Sequence, residues 1–389
     1  MHQNLRVPGP TPLPDDVRQA QAAPMIDHRG SEFAEMLPEI SRGIASLIGT
    51  SGEVLLLTAS GTGALEAAIV NTLSPGDRVL AVSIGSFGDR FATIAETYGA
   101  SVERLDAPWG DAADPAALRD HLAAHDPYAA VLLTHNETST GVVNPLRELV
   151  APVREAPGTP LSLVDGISGL GAIPFEMDAW GVDLVVSASQ KAWMASPGIA
   201  MVAMNERARD AGERARMPRF YFDLGQARHW VEKGQTPWTP AVSVLFGLRV
   251  GVRRLLAEGR ETTWQRHAAL SSVVQAGVQA LGLQLVAAEG HRSATVTAAW
   301  LPDGLDWPPF NQELRRRGLA IAGGQGKLAG KILRIGHMGD VALDELTDAL
   351  RVLGETLNEF GIDADVARAV AVAEDHHSEA LPAATTAAG

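Results

Sequence analysis

The chain of 389 residues contains no cysteine. Disulfides, thiolate-bound zinc, iron–sulfur clusters and thiol nucleophiles are therefore excluded. Lysine is almost as scarce: Lys191, Lys233, Lys327 and Lys331 are the only ones, and every other basic side chain is Arg or His. A lysine amine can form a Schiff base with a carbonyl and an arginine cannot, so amine chemistry has four candidates. Positive charge is in deficit, with 32 Lys and Arg against 46 Asp and Glu and a net charge of −14. That balance argues against nucleic acid or an anionic membrane as the main partner. No apolar run reaches the roughly 18 residues of a membrane-spanning helix. The opening residues MHQNLRVPGPTPLP lack the apolar core of a secretory signal, so a cytoplasmic location is the expectation.

The rest of the composition, 46% hydrophobic and 20% charged, is that of an ordinary globular protein. At about 150 residues per domain the length suggests two or three domains. The Pro-rich first fifteen residues read as an extended arm. From Asp16 to about Gly49 the pattern is helical. Apolar runs of strand length then alternate with helical stretches: Val54–Ala59, Arg78–Ser83, Ala129–His135, Leu161–Gly166, Val182–Ser189 and Ile199–Met204 read as strands. Helices are expected over Ala64–Leu73 and from about Arg90 to Tyr98. This alternation predicts an α/β fold with a mostly parallel sheet flanked by helices. Gln226–Thr239 reads as a loop. Helices over Ala241–Leu256 and Thr262–Leu281 follow, then short strands and helices of a smaller α+β domain. The predicted organisation is an arm (1–15), a large domain (16–255), a small C-terminal domain (256–370) and an Ala-rich flexible tail (371–389).

In open α/β sheets ligands bind at the carboxyl ends of strands. The segments there are SGTG (Ser60–Gly63), GSFG (Gly85–Gly88), NETST (Asn136–Thr140), DGISG (Asp165–Gly169) and SASQK (Ser187–Lys191), each polar or Gly-rich. Ser60-Gly61-Thr62-Gly63 lies between a strand and a helix. It is either a phosphate cup of backbone N–H groups and hydroxyls or a simple capped turn. It is neither a Walker A nor a Rossmann motif. Asp165 is either a turn cap or a carboxylate that meets a cation such as a protonated pyridine nitrogen. Lys191, the sole lysine of the first 232 residues, is either a Schiff-base former or a surface lysine. The pair His121 and His125 has i,i+4 spacing without a recognisable third ligand, and a solvated helix face is the preferred reading. Asp183 is expected to be structural, and His337 is left unassigned.

A phosphate cup, a carboxylate and a lysine together describe a pyridoxal 5'-phosphate site. The ordered blocks SGTG, SFG, NETSTG, VDGISGLG, DLVVSASQKAW, GQTPWTP and LRIGHMG, with PGPTPLP and HRGSEF before them, resemble fold-type I aminotransferases of class V. Within these, the similarity is to the alanine/serine–glyoxylate or –pyruvate group, over roughly residues 5–360. The resemblance implies that Lys191 holds the coenzyme aldehyde and moves the Cα proton, and that Asp165 pairs with the ring nitrogen. It implies phosphate contacts from Ser60, Gly61, Thr62 and Gln190, stacking by Phe87, and Thr138 near the ring hydroxyl. Phe87 is a departure, since many relatives carry Trp or Tyr there. Thr236 and Thr239 would reach the phosphate of a neighbouring subunit in a homodimer with shared sites. Arg334 would fork onto the substrate carboxylate, and the Gly9-Pro10-Thr11 arm would line the entrance. No metal is expected.

The expected activity is ping-pong transamination from alanine or serine to glyoxylate or pyruvate. An aspartate–2-oxo acid aminotransferase, a kynureninase-like hydrolase and a non-catalytic binding protein are the alternatives. Cysteine desulfuration is excluded by the missing thiol.

Overall fold

A computed structural model describes residues 3–380. Its centre is a seven-stranded sheet of β1 (Glu53–Ala59), β2 (Arg78–Ser83), β3 (Ser101–Asp106), β4 (Ala130–Thr134), β5 (Leu161–Asp165), β6 (Leu184–Ala188) and β7 (Gly198–Met204), in spatial order β1-β7-β6-β5-β4-β2-β3. The pairs β6–β5, β5–β4, β4–β2 and β2–β3 are parallel, while β7 runs antiparallel to both β6 and β1. The α/β expectation therefore holds. Strands β4, β5 and β6 are buried at every position, because helices cover both faces, and so they read as unbroken apolar runs.

The reversed strand β7 decides where Lys191 sits. Parallel neighbours need a crossover of a dozen or more residues, whereas antiparallel ones can be joined by a tight connection. Residues 189–197 make that connection between β6 and β7, so Lys191 is held at the carboxyl edge of the sheet. Ser189 anchors the turn through Oγ, which donates to the Ser196 carbonyl at 2.6 Å. Asp183, just before β6, accepts from Ser162 N (2.8 Å), Asn205 Nδ2 (2.8 Å) and Arg207 Nη1 (3.0 Å). It is the structural acid that the sequence suggested.

The C-terminal part carries a three-stranded antiparallel sheet of Val296–Trp300, Ile332–Gly336 and Ala322–Gly323 under the helices Arg260–Ala280 and Leu343–Glu359. The N-terminal arm joins it: Asn4–Leu5 pairs in parallel with Leu319–Ala320, and Gly336 N donates to the Arg6 carbonyl at 2.7 Å. The arm is thereby drawn across the mouth of the large sheet.

Several boundaries differ from the sequence reading. The stretch from Asp16 to Gly49 is two helices, Asp15–Gln21 and Ser31–Leu47, parted by 22–30. The helix expected from Arg90 starts at Ser86, so the SFG block forms its first turn. Part of the expected loop Gln226–Thr239 is helical, since Leu224–Val231 forms a helix capped by Asp223, which accepts from Gln226 N at 2.9 Å. Strand β3 went unrecognised because SVERLD is a polar, half-exposed edge, as edge strands commonly are. The expected tail from Ala371 begins too early. Val366–Ala380 is a helix, with Ala369 and Ala373 fully buried in the C-terminal core; alanine is the best helix former, and its small side chain permits close packing. Residues 381–389 of that tail lie outside the described residues.

The helix Val242–Glu258 packs directly on the lysine turn. A Cβ at Gly251 would stand 2.1 Å from the Trp193 carbonyl oxygen. Gly251→Ala is therefore expected to destabilise the protein by about 1–3 kcal/mol, the usual cost of overpacking, read as a lower urea midpoint in equilibrium unfolding. An unchanged midpoint would show that the helix and the turn move apart freely.

Candidate active site

Asp165 ends β5 and is almost fully buried. Its Oδ1 accepts from Ile167 N at 2.9 Å, and among the described residues its second oxygen accepts no hydrogen bond. Burial, with the nearby Glu137 charge, pushes its carboxyl up to about 7 against the backbone bond and Lys191. A carboxyl in this state stabilises any cation placed beside it.

Lys191 stands in the turn after β6. Burial lowers its amine to about 8, the field of Asp165 opposes this, and Arg334 and Arg90 add to it. Its Nζ donates to the Pro8 carbonyl. The arm is fastened to the turn by Thr11, whose N donates to the Gln190 carbonyl (3.1 Å) and whose Oγ1 donates to the Lys191 carbonyl (3.2 Å). Gly9 has φ +115°, and a Cβ there would lie 2.6 Å from Lys191 Nζ. The positive φ favours glycine here, because a side chain at that backbone angle is strained.

Ser60 caps the helix Gly61–Thr72, its Oγ accepting from Gly63 N at 3.4 Å. Among the described residues the Gly61 and Thr62 amides have no acceptor, which is the usual state of a helix N-terminus and attracts anions. The cup lies close to the acid and the lysine turn: a Cβ at Gly61 would meet Ile167 Cδ1 at 2.7 Å and Ala188 Cβ at 3.3 Å. Thr62 Oγ1 accepts from Arg90 Nη1 at 3.4 Å, and Arg90 stacks 4.7 Å over the Phe87 ring. Gln190 Oε1 is buried and has no hydrogen-bond partner among the described residues.

Thr138 donates its hydroxyl to Ser168 Oγ at 2.8 Å, and its carbonyl accepts from Arg334 Nη1 at 3.0 Å. Arg334 Nε donates to the Gly323 carbonyl at 2.8 Å. Its second terminal nitrogen, Nη2, donates to no protein group among the described residues. Burial lowers this guanidinium to about 10, opposed by Glu137, but it stays charged at neutral pH.

Sequence reasoning missed Glu137, Arg90 and Ser168. Glu137 is fully buried. It accepts from Phe87 N (3.0 Å), Gly88 N (3.2 Å), Ser139 N (2.9 Å) and Ser139 Oγ (2.6 Å). It thus caps the Ser86–Thr97 helix, whose own N-cap residue, Gly85, has no side chain. Burial raises its carboxyl despite those donors. A cap reaching across 50 residues leaves no local pattern in a sequence.

One chain does not bring Thr236 and Thr239 to Lys191. Thr236 Oγ1 donates to the Trp238 carbonyl (2.8 Å), while Arg29 Nη1 donates to Gln235 Oε1 and the Thr236 carbonyl (2.8 Å each). Thr239 is exposed. His337 is a buried core histidine, its Nε2 3.0 Å from Thr297 Oγ1 and its ring pushed down to about 3 by burial.

The donor set, with free helix-terminal amides, a buried acid lacking a cation, a depressed lysine and an arginine with an unused N–H edge, fits a phosphorylated pyridine aldehyde. A family model described as aminotransferase class-V matches residues 16–336. The "Soluble hydrogenase, small subunit" of a Synechococcus strain is 41% identical over 92% of this chain and 93% of its own length. An L-aspartate–glyoxylate aminotransferase of Paracoccus denitrificans is 36% identical over 97% of both chains. The crystal structure of an alanine–glyoxylate aminotransferase from a Nostoc species superposes with a TM-score of 0.88, at 32% identity over 92% of this chain and 96% of that one. The chain belongs to the class-V aminotransferases and is a pyridoxal-phosphate-dependent transaminase of the fold-type I architecture.

Proposed function

We propose that this enzyme moves the amino group of a small amino acid, alanine or serine, to glyoxylate or pyruvate. The observation that carries this reading is the arm lying directly over the lysine: Lys191 Nζ donates to the Pro8 carbonyl, and Gly9 lies against the lysine side chain. A donor with a short side chain fits under such a roof. The Paracoccus relative favours aspartate as the second reading. A second carboxylate wants a second cation, and Arg90 is already engaged with Thr62 and Phe87. The name of the Synechococcus relative stays with that protein, because this chain has no cysteine to bind an iron–sulfur cluster.

Ser60, Gly61, Thr62 and Gln190 would hold the coenzyme phosphate, with Arg90 as a further cation on that side. Phe87 would stack on the ring, Thr138 would face its hydroxyl and Asp165 its nitrogen. When bound, the coenzyme supplies an electrophilic aldehyde and an electron-accepting ring. Lys191, lowered to about 8, has a larger neutral fraction near neutral pH than an ordinary lysine. It serves as nucleophile towards the aldehyde and, once free, as the base that moves the donor's Cα proton. Arg334 has Nε and Nη1 tied to backbone carbonyls, so its unused edge has a fixed direction for the substrate carboxylate. Donor and acceptor carboxylates use the same arginine, which requires a ping-pong order.

The proposed unit is a homodimer in which Thr236 and Thr239 reach the partner's phosphate. Exposed Phe220 and Tyr221 surround Trp238 in that loop, with the Phe220 and Trp238 rings 4.9 Å apart. Such an apolar group gains by being covered.

Lys191→Ala should abolish turnover and remove the visible absorbance of the bound coenzyme; retained absorbance would refute the assignment of the amine. With glyoxylate or pyruvate as acceptor, kcat/KM for alanine or serine should exceed that for aspartate at least about tenfold, a difference of ~1.4 kcal/mol. Preference for aspartate would overturn the small-donor reading without touching the lysine. Coenzyme-free protein gives a third test. Asp165, raised to about 7 from 3.8, contributes stability below pH 4 that is lost as pH rises to 7. Asp165→Asn should therefore gain on the wild type across that window, by about 4 kcal/mol, with no further gain above it. Urea midpoints at pH 4–8 measure this, and a constant difference would show that the acid is ionised throughout.

A further inference from the structure

Far along the sheet from Lys191, the edge strand β3 and the end of the helix Pro115–Ala124 bring three ligand-type side chains together. His121 Nε2 lies 3.2 Å from Glu103 Oε1, and His125 Nε2 lies 3.6 Å from the same oxygen. All three ligand atoms lie within 4.8 Å of one another. Two atoms bound at about 2.0 Å to one tetrahedral ion stand about 3.3 Å apart, so these separations match a common centre. None of the three serves the transaminase site.

The surrounding hydrogen bonds orient the three side chains towards one another. His125 Nδ1 lies 2.7 Å from the His121 carbonyl, where only an N–H can bond, so Nε2 is the ring nitrogen turned towards Glu103. The two imidazole rings stack with centroids 4.0 Å apart, so both present the same side to Glu103. The other carboxylate oxygen, Oε2, is occupied by Tyr128 Oη at 2.7 Å and Arg78 Nη2 at 3.3 Å. Glu103 is thereby oriented with Oε1 facing the histidines. Tyr128 Oη also lies 3.0 Å from His121 Nε2. A hydrogen-bonded carboxylate and a histidine fixed through Nδ1 are the supports that bound metals use. The group is open to solvent, since His125 is 40% and Glu103 37% exposed.

We infer that Glu103, His121 and His125 form a site for a borderline divalent cation of the zinc class, with water in the fourth position. Two imidazoles and one carboxylate select Zn²⁺, Co²⁺, Ni²⁺ or Cu²⁺ over Mg²⁺ and Ca²⁺. The ion would tie the edge strand to the helix end, stabilising this rim and leaving the chemistry at Lys191 alone.

The test is calorimetric titration of the coenzyme-loaded protein with Zn²⁺, and separately with Mg²⁺, backed by thermal unfolding. One Zn²⁺ per chain should bind and raise the unfolding temperature, and Mg²⁺ should do neither. His125→Gln and Glu103→Gln should each weaken Zn²⁺ binding at least about tenfold, with transaminase activity in metal-free buffer unchanged. The double variant His376→Gln, His377→Gln, which removes the other neighbouring histidine pair, should bind like the wild type. No stoichiometric uptake, an equal response to Mg²⁺, undiminished binding by His125→Gln and Glu103→Gln, or loss of binding in the His376/His377 variant would each overturn the inference.

Discussion

A fully buried carboxyl governs the centre of this protein. Asp165 sits at the end of a fully buried strand, with one oxygen held by a backbone amide and the other accepting no hydrogen bond among the described residues. An unpaired acid in that position would be expensive if ionised, and its carboxyl is accordingly displaced to about 7. The groups around it share the same low-polarity region. Lys191 is pulled down by burial and by two arginines, Arg334 is lowered by burial, and Glu137 is raised. Such opposed displacements in one place are what a site built for proton and charge movement requires.

The fold brings these groups together through two features. One is the reversed strand β7, which makes the link from β6 short and leaves the lysine at the sheet's carboxyl edge. The other is the N-terminal arm, which pairs with the C-terminal part at Asn4–Leu5 and then crosses over Lys191 at Pro8–Thr11. The amine is thus enclosed by three regions that are distant in the chain. Within this chain Thr236 is tied instead to its own loop and to Arg29.

Different parts of the molecule were legible in the sequence to different degrees, for physical reasons. Central strands such as LSLVD and LVVSA are covered on both faces, so burial alone writes them as apolar runs. The Gly-rich block at Ser60 was legible because a strand, a cap and a helix follow one another locally. Edge strand SVERLD was not, since half-exposed backbone at a sheet edge tolerates polar side chains. The final helix was not either, because alanine-rich composition suits both a loose tail and a closely packed helix, and only Ala369 and Ala373 in the C-terminal core decide between them.

By itself, the sequence determined the chemical inventory: no thiols, four amines, an acidic surface, and a set of polar turns placed after apolar strands. It also carried the order of blocks by which the family is recognisable. Tertiary structure alone decided which groups meet. Glu137 caps a helix 50 residues away, Arg334 is aimed by carbonyls from two other segments, and Glu103 completes the pair His121 and His125. Residue type and local periodicity are set by neighbours in the chain, whereas electrostatic partners are set by packing, which no local pattern records.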